Sequence, residues 1–453
     1  MFTRGLVVDL LQSEQASEIA LVDIDPHALE VVERLSRKMV AAKRVALKVS
    51  ASVDRRDVLP GATVVISTIG VGGRQAWVRD VEIPRRHGIF VPVGDTVGPG
   101  GSSRALRMIP PMVEIAQDVL GLAPDALLFN HSNPLGPIVR AVNKATDAPM
   151  VGLCHGVHST AGYLADILGV RREALEYTAV GRNHLTWFTS VRIGQRDAMP
   201  ELRAIATRNL EAAPDQEDGS IVRGERISGE HQNAFSWNLL LTFGAFPAPG
   251  DRHVTEFFPQ FFRNGEYFGM KLGVHPAAFD FENTIAFGDR IYSEMERDAF
   301  SLEPLADTYF DQTSGEHEGV IDIVDSIRND RGRIYSANLP NRGAIPGLPD
   351  ETVVEAPAIA DGAGVRLIPQ PPLPAHLLGT LTTRSEWDET IVDASLNGSR
   401  ERFVQALVLD GHVDSLETAN SLADELLAAQ AEFLPWVRPA VAEDGSLRSA
   451  TDA

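Results

Sequence analysis

The chain has one cysteine, no long apolar run and no surplus of positive charge, and each shortage excludes a class of protein. A single thiol, Cys154, permits no internal disulfide, which fits a reducing cytoplasm. No stretch approaches the ~18 apolar residues needed to span a bilayer, so no membrane association is expected. The N-terminus has no basic region followed by an uninterrupted apolar core. Asp9 breaks the only candidate, Leu6 to Leu11, so no secretory signal is expected. Lys and Arg number 41 against 62 Asp and Glu, a formal net charge of -21. Nucleic acids and acidic membranes need a cationic face, so neither partner is expected. A small anionic substrate stays open, since a few local arginines suffice for it.

What is present reads as a globular α/β protein. Hydrophobic residues make up 44% and charged ones 23% of 453 residues, too long a chain for one ordinary core. Met1 to Gln15 carries a helical apolar pattern, and Ile19 to Ile24 reads as a buried parallel strand. Asp25-Pro26 then opens a helix, with Asp25 as N-cap. Arg44 to Val49, Thr63 to Ile69, Ala126 to Asn130 and Met150 to Leu153 read as further strands. Helices are expected over Arg74 to His87, Ser102 to Val119 and Pro137 to Ala145. This alternation predicts a Rossmann-like doubly wound parallel sheet. Beyond Tyr177 the pattern turns to antiparallel strands, Tyr177 to Val180 and Leu185 to Ile193. Helices near Pro200 to Glu211, His231 to Leu241, Arg400 to Val408 and Ser415 to Phe433 follow. We expect a dinucleotide-binding domain over 1–190 and an α+β substrate and oligomerisation domain over 191–453, with 443–453 a frayed polar tail.

In such a fold ligands lie at the C-terminal strand ends. Asp23, Ile69, Gly70 and Asn130 fall there and are the cofactor candidates. Asp23 stands where a dinucleotide fold places the acid that binds ribose hydroxyls, although a solvent-facing acid would look the same. A strand and Gly-rich turn should stand about 20 residues before that acid, and here the sequence begins at the helix that would follow them. A start assigned too far downstream accounts for this better than loss of the loop.

Cys154 lies in V-G-L-C-H-G-V-H with His155 and His158 close by, a grouping that suits a borderline divalent metal or a nucleophile. We take the metal reading, with His184 of Asn183-His184 as second ligand. Two protein ligands would leave coordination positions for substrate hydroxyls. Gly94-Asp95 with Gly98, Gly100 and Gly101 forms a flexible loop, and Arg104 offers a fork for a carboxylate or phosphate. Asn133-Pro134 follows a strand as substrate-facing turns do. Asp251 is a candidate base and Arg252 a candidate anion binder, with surface placement the plain alternative for both.

Taken in order, these stretches resemble glycoside hydrolase family 4, the NAD- and metal-dependent glycosidases. The matching pieces are F-T-R-G-L at Phe2, A-L-V-D-I-D at Ala20, G-D-T-V-G-P-G-G-S-S-R-A-L-R at Gly94 and S-N-P at Ser132. G-L-C-H-G at Gly152, G-R-N-H at Gly181, G-D-R-H at Gly250 and L-P-D-E-T-V-V-E-A-P-A at Leu348 complete the set.

The resemblance implies a C-terminal domain of the lactate/malate dehydrogenase type and a distinctive reaction. NAD⁺ takes hydride from C3 of the sugar and a base removes the acidified C2 proton. The aglycone leaves by elimination, water adds, and NADH returns the hydride. It implies Cys154 and His184 as ligands of Mn²⁺ or another divalent metal, and Asp251 as base. His155 is the candidate acid with Asp95 second, while Asn133 orients the sugar. C-H-G resembles the α-glucuronidase and α-galacturonidase members, so an α-uronide is the expected substrate, with Arg252, Arg104 or His158 meeting its carboxylate. The rivals are an α-galactosidase or α-glucosidase of the same family and an NAD-dependent hydroxy-acid dehydrogenase. A cytoplasmic homo-oligomer, dimer or tetramer, is expected.

Overall fold

The computed structural model describes residues 2–13, 15–211, 233–262, 266–267, 270–271, 281–310 and 318–437. The expected tail from Glu443, and the first residues of the helix expected at His231, lie outside these.

Fourteen strands lie among the described residues. The first five are β1 (Glu18–Val22), β2 (Lys48–Ser52), β3 (Val64–Ser67), β4 (Leu127–Asn130) and β5 (Met150–Gly152). Then come β6 (Leu175–Arg182), β7 (Leu185–Ile193), β8 (Arg196–Asp197), β9 (Phe246–Ala248), β10 (Glu266–Tyr267) and β11 (Met270–Lys271). β12 (Arg333–Pro340), β13 (Val353–Asp361) and β14 (Gly364–Leu367) follow. The helices of the first half are α1 (Phe2–Ser13), α2 (Pro26–Lys43), α3 (Gly73–Arg86), α4 (Gly98–Leu122), α5 (Leu135–Ala145) and α6 (Gly156–Ile167). Those of the second are α7 (Met199–Glu211), α8 (Ala234–Phe243), α9 (Asp251–Val254), α10 (Phe281–Phe300) and α11 (Glu318–Arg328). α12 (Ala375–Asn397), α13 (Arg400–Asp410) and α14 (Leu416–Ala429) close the described chain.

The Rossmann-like α/β expectation is met with a mixed sheet. β1 and β2 form a parallel pair of their own. β3, β4 and β5 run parallel and open a ten-stranded sheet that continues through β12, β13, β6, β7 and β8. β12 and β13 are antiparallel and slot between β5 and β6, joining the parallel region to the β6–β7 hairpin. Local signals set the early helices. The Asp25 side chain accepts from the His27 and Ala28 amides, and Pro26 opens the first turn of α2. That helix runs on to Lys43, so the strand expected from Arg44 starts only at Lys48. No helix of the described residues is long and apolar enough to cross a membrane.

The Gly-rich segment expected as a loop before α4 largely forms its first turns. Gly100 and Gly101 pack so tightly that a Cβ would lie 2.6 Å from the Asp80 carbonyl oxygen and 2.5 Å from the Thr96 carbonyl carbon. The two glycines let α4 press on α3 and on the 93–97 loop. A buried pair pins the same contact from below. Arg107, fully buried, forks onto the fully buried Asp80, with Nη1 to Oδ1 at 3.0 Å, and its Nε donates to the Val71 carbonyl at 3.0 Å. Gln430 also donates to Asp80. Removing one member of such a pair strands a buried charge, which costs more than the pair contributes. Asp80→Ala is therefore expected to lower unfolding free energy by roughly 3–5 kcal/mol in denaturant titration. Asp80→Asn, which keeps an acceptor, should cost less.

Candidate functional site

The site gathers where three backbone turns meet. The first follows β5: Leu153, Cys154 and His155 lead straight into α6. Gly156 is required there, since a Cβ would come 2.8 Å from Pro249. The second is the two-residue turn between β6 and β7, Asn183-His184. Gly181 lets its strands close, because a Cβ would lie 2.3 Å from the Leu185 oxygen. His184 sits in the left-handed region at φ 67° and is buried. The third is the 93–97 loop, held down by Glu256, whose Oε1 accepts from the Val93 and Gly94 amides at 2.9 and 2.7 Å.

The second and third turns are locked together by one hydroxyl. Thr96 donates to Asp95 Oδ1 at 2.7 Å and lies 2.8 Å from His184 Nδ1. A hydroxyl has one proton, and the carboxylate can only accept, so His184 donates Nδ1–H to Thr96. That tautomer leaves the Nε2 lone pair of His184 uncommitted. Asn133 donates to Asp95 Oδ2 at 3.0 Å, and Arg104 Nε donates to the Asn133 carbonyl at 3.0 Å.

Asp95, His184 and His253 each present a ligand atom, and these atoms lie within 4.8 Å of one another. The two imidazole rings are 4.0 Å apart. Burial, reinforced by the neighbouring His253, holds His184 well below the ordinary histidine range, and burial pushes His253 down to about 4. Burial opposes ionisation of Asp95, but the Arg104 guanidinium, helped by the Thr96 hydrogen bond, outweighs it and holds the carboxyl below its usual value. One carboxylate and two neutral imidazoles are a donor set that suits a divalent cation. Of the two ligands expected from sequence, His184 belongs to this set and Cys154 borders it. Burial, and then the Glu355 carboxylate, push the thiol up to about 12.

The other expected residues divide. Asp95, Asn133 and Arg104 meet in the chain of hydrogen bonds just described. His155 opens α6, is exposed, and is close enough to depress both His184 and His253. Asp251 is buried in the first turn of α9. Its carboxylate accepts from the Phe235 amide and from the Ser236 amide and hydroxyl at 2.7–2.8 Å, tying α9 to the start of α8. Arg252 turns outward and bonds the Thr284 hydroxyl on α10. Asn130 is fully buried, with its amide spent on the Ser132 backbone. The carbonyl of Ile69 accepts from the Ser132 hydroxyl, and the Gly70 carbonyl closes a turn with Gly73. Asp23, exposed just past β1, accepts from the Asp25 amide. His253 was not anticipated. It stands in G-D-R-H two positions from Asp251, and a solitary histidine gives no signal of its own before the fold brings it to His184.

Beyond β3, the Gly70–Gly73 turn opens α3 at Gly72, which supplies no capping side chain. A bare helix start of this kind fits a dinucleotide's phosphates, and an exposed acid at the end of β1 fits its ribose.

A family model described as family 4 glycosyl hydrolase matches residues 1–170, and one for the family's C-terminal domain matches 179–413. The chain belongs to family 4 of the glycosyl hydrolases. It is 30% identical to an alpha-glucosidase of Erwinia rhapontici over 466 residues, covering 96% of this chain and 97% of that one. Identity is also 30% to an alpha-galacturonidase of Bacillus subtilis, covering 90% of each. In structure, a 6-phospho-alpha-glucosidase from gut microorganisms, solved with NAD and Mn²⁺, superposes with a TM-score of 0.81 at 20% identity, over 96% of both chains.

Behind Cys154, Glu355 accepts from Thr186 and from Asn338 and is buried. Burial raises its carboxyl from 4.5 to about 7. A carboxyl raised on folding keeps its proton longer in the folded state. Its favourable contribution is full below 4.5 and is lost as pH climbs to 7. The rise corresponds to roughly 3 kcal/mol at most. Denaturant titrations should show Glu355→Gln losing less stability than wild type between pH 4.5 and 7.

Proposed function

We propose that this family 4 enzyme hydrolyses α-D-uronides, α-galacturonides first, with NAD and a divalent cation as cofactors. The observation that carries the reading is the convergence of Asp95, His184 and His253, two neutral imidazoles and a carboxylate, beside Cys154 in a C-H-G turn. The α-galacturonidase relative, matched over nine tenths of both chains, supports the choice of sugar. In the cytoplasm the lone Cys154 would stay reduced.

In this reading Asp95, His184 and His253 hold the cation, with the Cys154 sulfur alongside. Asp23 and the Ile69-Gly70 turn face the dinucleotide. NAD would supply reversible hydride acceptance from the sugar, and the divalent cation would supply Lewis-acid polarisation of sugar oxygens. Asn133, fixed by Asp95, orients the sugar. Arg104 meets the uronate, the charged group nearest Asp95 and Asn133 once Arg252 is committed to Thr284. His155, exposed at the start of α6, passes the proton to the leaving oxygen. Asp251 we assign to positioning His253, because its carboxylate fastens α9 to α8. Asn130 supports the Asn133 turn.

The second reading is a neutral-sugar α-glucosidase, favoured by the Erwinia rhapontici relative. Nitrophenyl α-galacturonide, α-glucuronide, α-glucoside and α-galactoside, assayed with NAD⁺, Mn²⁺ and thiol, separate the two. We expect kcat/KM at least about tenfold higher for a uronide, as one charge-assisted contact in a shielded site supplies. Chelation, His253→Ala and Cys154→Ser should each lower it by about a hundredfold or more, on the scale of losing preorganised charge stabilisation. Faster turnover of a neutral glycoside would move the assignment to the second reading.

A further inference from the structure

Asn183 contributes a donor and an acceptor to the site and uses neither within the protein. It is 1% exposed, yet neither its Oδ1 nor its Nδ2 has a hydrogen-bond partner. A buried amide left unpaired at both ends is costly, and native proteins rarely keep one without a reason. The amide cannot swing away to find partners. It stands in the two-residue turn between β6 and β7, closed by the tight approach of Gly181 to Leu185. Behind the turn Arg182 bonds Asp388 at 2.7 Å and lies over the rings of Phe257 and Trp387.

Its surroundings show what Oδ1 lacks. The Cys154 sulfur lies within reach of the amide, but a thiol is only a weak donor and a weak acceptor. It leaves the buried Oδ1 in need of a full-strength donor. His184, the next residue, has its Nδ1–H committed to Thr96, and the described side chains offer Oδ1 no other hydrogen. A group carried in by the ligand must supply it.

We infer that Asn183 is a substrate-binding residue whose carbonyl oxygen accepts a hydrogen bond from one sugar hydroxyl next to the oxygens held by Asp95, His184 and His253. The inference rests on the glycosidase reading above and adds a hydroxyl-reading residue to it. Matching a buried acceptor to one hydroxyl makes loss of that hydroxyl expensive, because the acceptor is then left dry and unpaired.

The test is calorimetric binding of methyl α-galacturonide, methyl α-glucoside and their single-deoxy analogues to protein loaded with NAD and Mn²⁺. One deoxy analogue should bind wild type roughly tenfold more weakly than its parent. Asn183→Ala should bind the parent roughly tenfold more weakly and no longer distinguish that analogue. Its Mn²⁺ affinity, read by electron paramagnetic resonance, should stay within about threefold of wild type. An Asn183→Ala protein that binds the parent as wild type does, or still penalises every deoxy sugar, overturns the inference alone. Wild-type protein that binds none of the sugars overturns the glycosidase reading and the inference with it. Should the variant fail to fold, the wild-type deoxy series decides, and a flat series sinks the inference.

Discussion

One proton on Thr96 sets the chemistry of this site. Because that hydroxyl gives its hydrogen to Asp95, His184 must give its own Nδ1–H to Thr96, and the remaining ring nitrogen presents a lone pair. Burial keeps the ring neutral, so the lone pair is not taken up by a proton. The arrangement couples a ligand carboxylate to a ligand imidazole through one shared hydroxyl. Hydrogen bonds that fix tautomer and ring direction have this effect in metal sites generally. Glu256 extends the coupling, since it ties the loop carrying Asp95 to the segment carrying His253.

Such a cluster holds its geometry only if the turns that carry it cannot slide. The fold answers with buried ion pairs behind them. Arg107 with Asp80 lies under the 93–97 loop, Arg182 with Asp388 under the Asn183-His184 turn, and Arg384 with Asp410 beside the Glu256 segment. Each is nearly or wholly excluded from solvent, so each contributes little net stability for the desolvation it costs. What they provide is direction: the fork of Arg107 on Asp80 tolerates little rotation, and Arg384 ties Asp410 to the Phe257 carbonyl. The glycines work the same way from the opposite side, removing side chains where one backbone must touch another.

Much of this was legible in the sequence wherever the signal was local. Asp25-Pro26 marked the start of α2, the alternation of strand and helix through Gly152 gave the parallel region, and the turn at Asn183-His184 fell between two readable strands. Long-range arrangements were not legible. Nothing in Arg333–Pro340 or Val353–Asp361 says that these strands slot between β5 and β6, because that pairing is set by contacts some 180 residues away in sequence, such as Asn338 with Gly152. Roles that depend on what a side chain finds on arrival were equally hidden. Asp251 and Asn130 are residue types that bind ligands, and only the fold shows them bonded to Phe235, Ser236 and Ser132. His253 stands in G-D-R-H, which says nothing of a partner until the fold sets its ring 4.0 Å from that of His184.

Charge balance argues for an acidic sugar on the proposed reading. Arg104 and Asp95 offset one another, and both histidines are held below the ordinary histidine range, so a bound divalent cation would need its two positive charges compensated. Cys154 can provide one. Its thiol is pushed up to about 12 by burial, but coordination to a divalent cation would release that proton. On that reading a uronate held at Arg104 would bring further negative charge to the cluster, which a neutral sugar would not. Burial raises the Glu355 carboxyl to about 7, so near neutral pH it sets less than a full negative charge against the thiol.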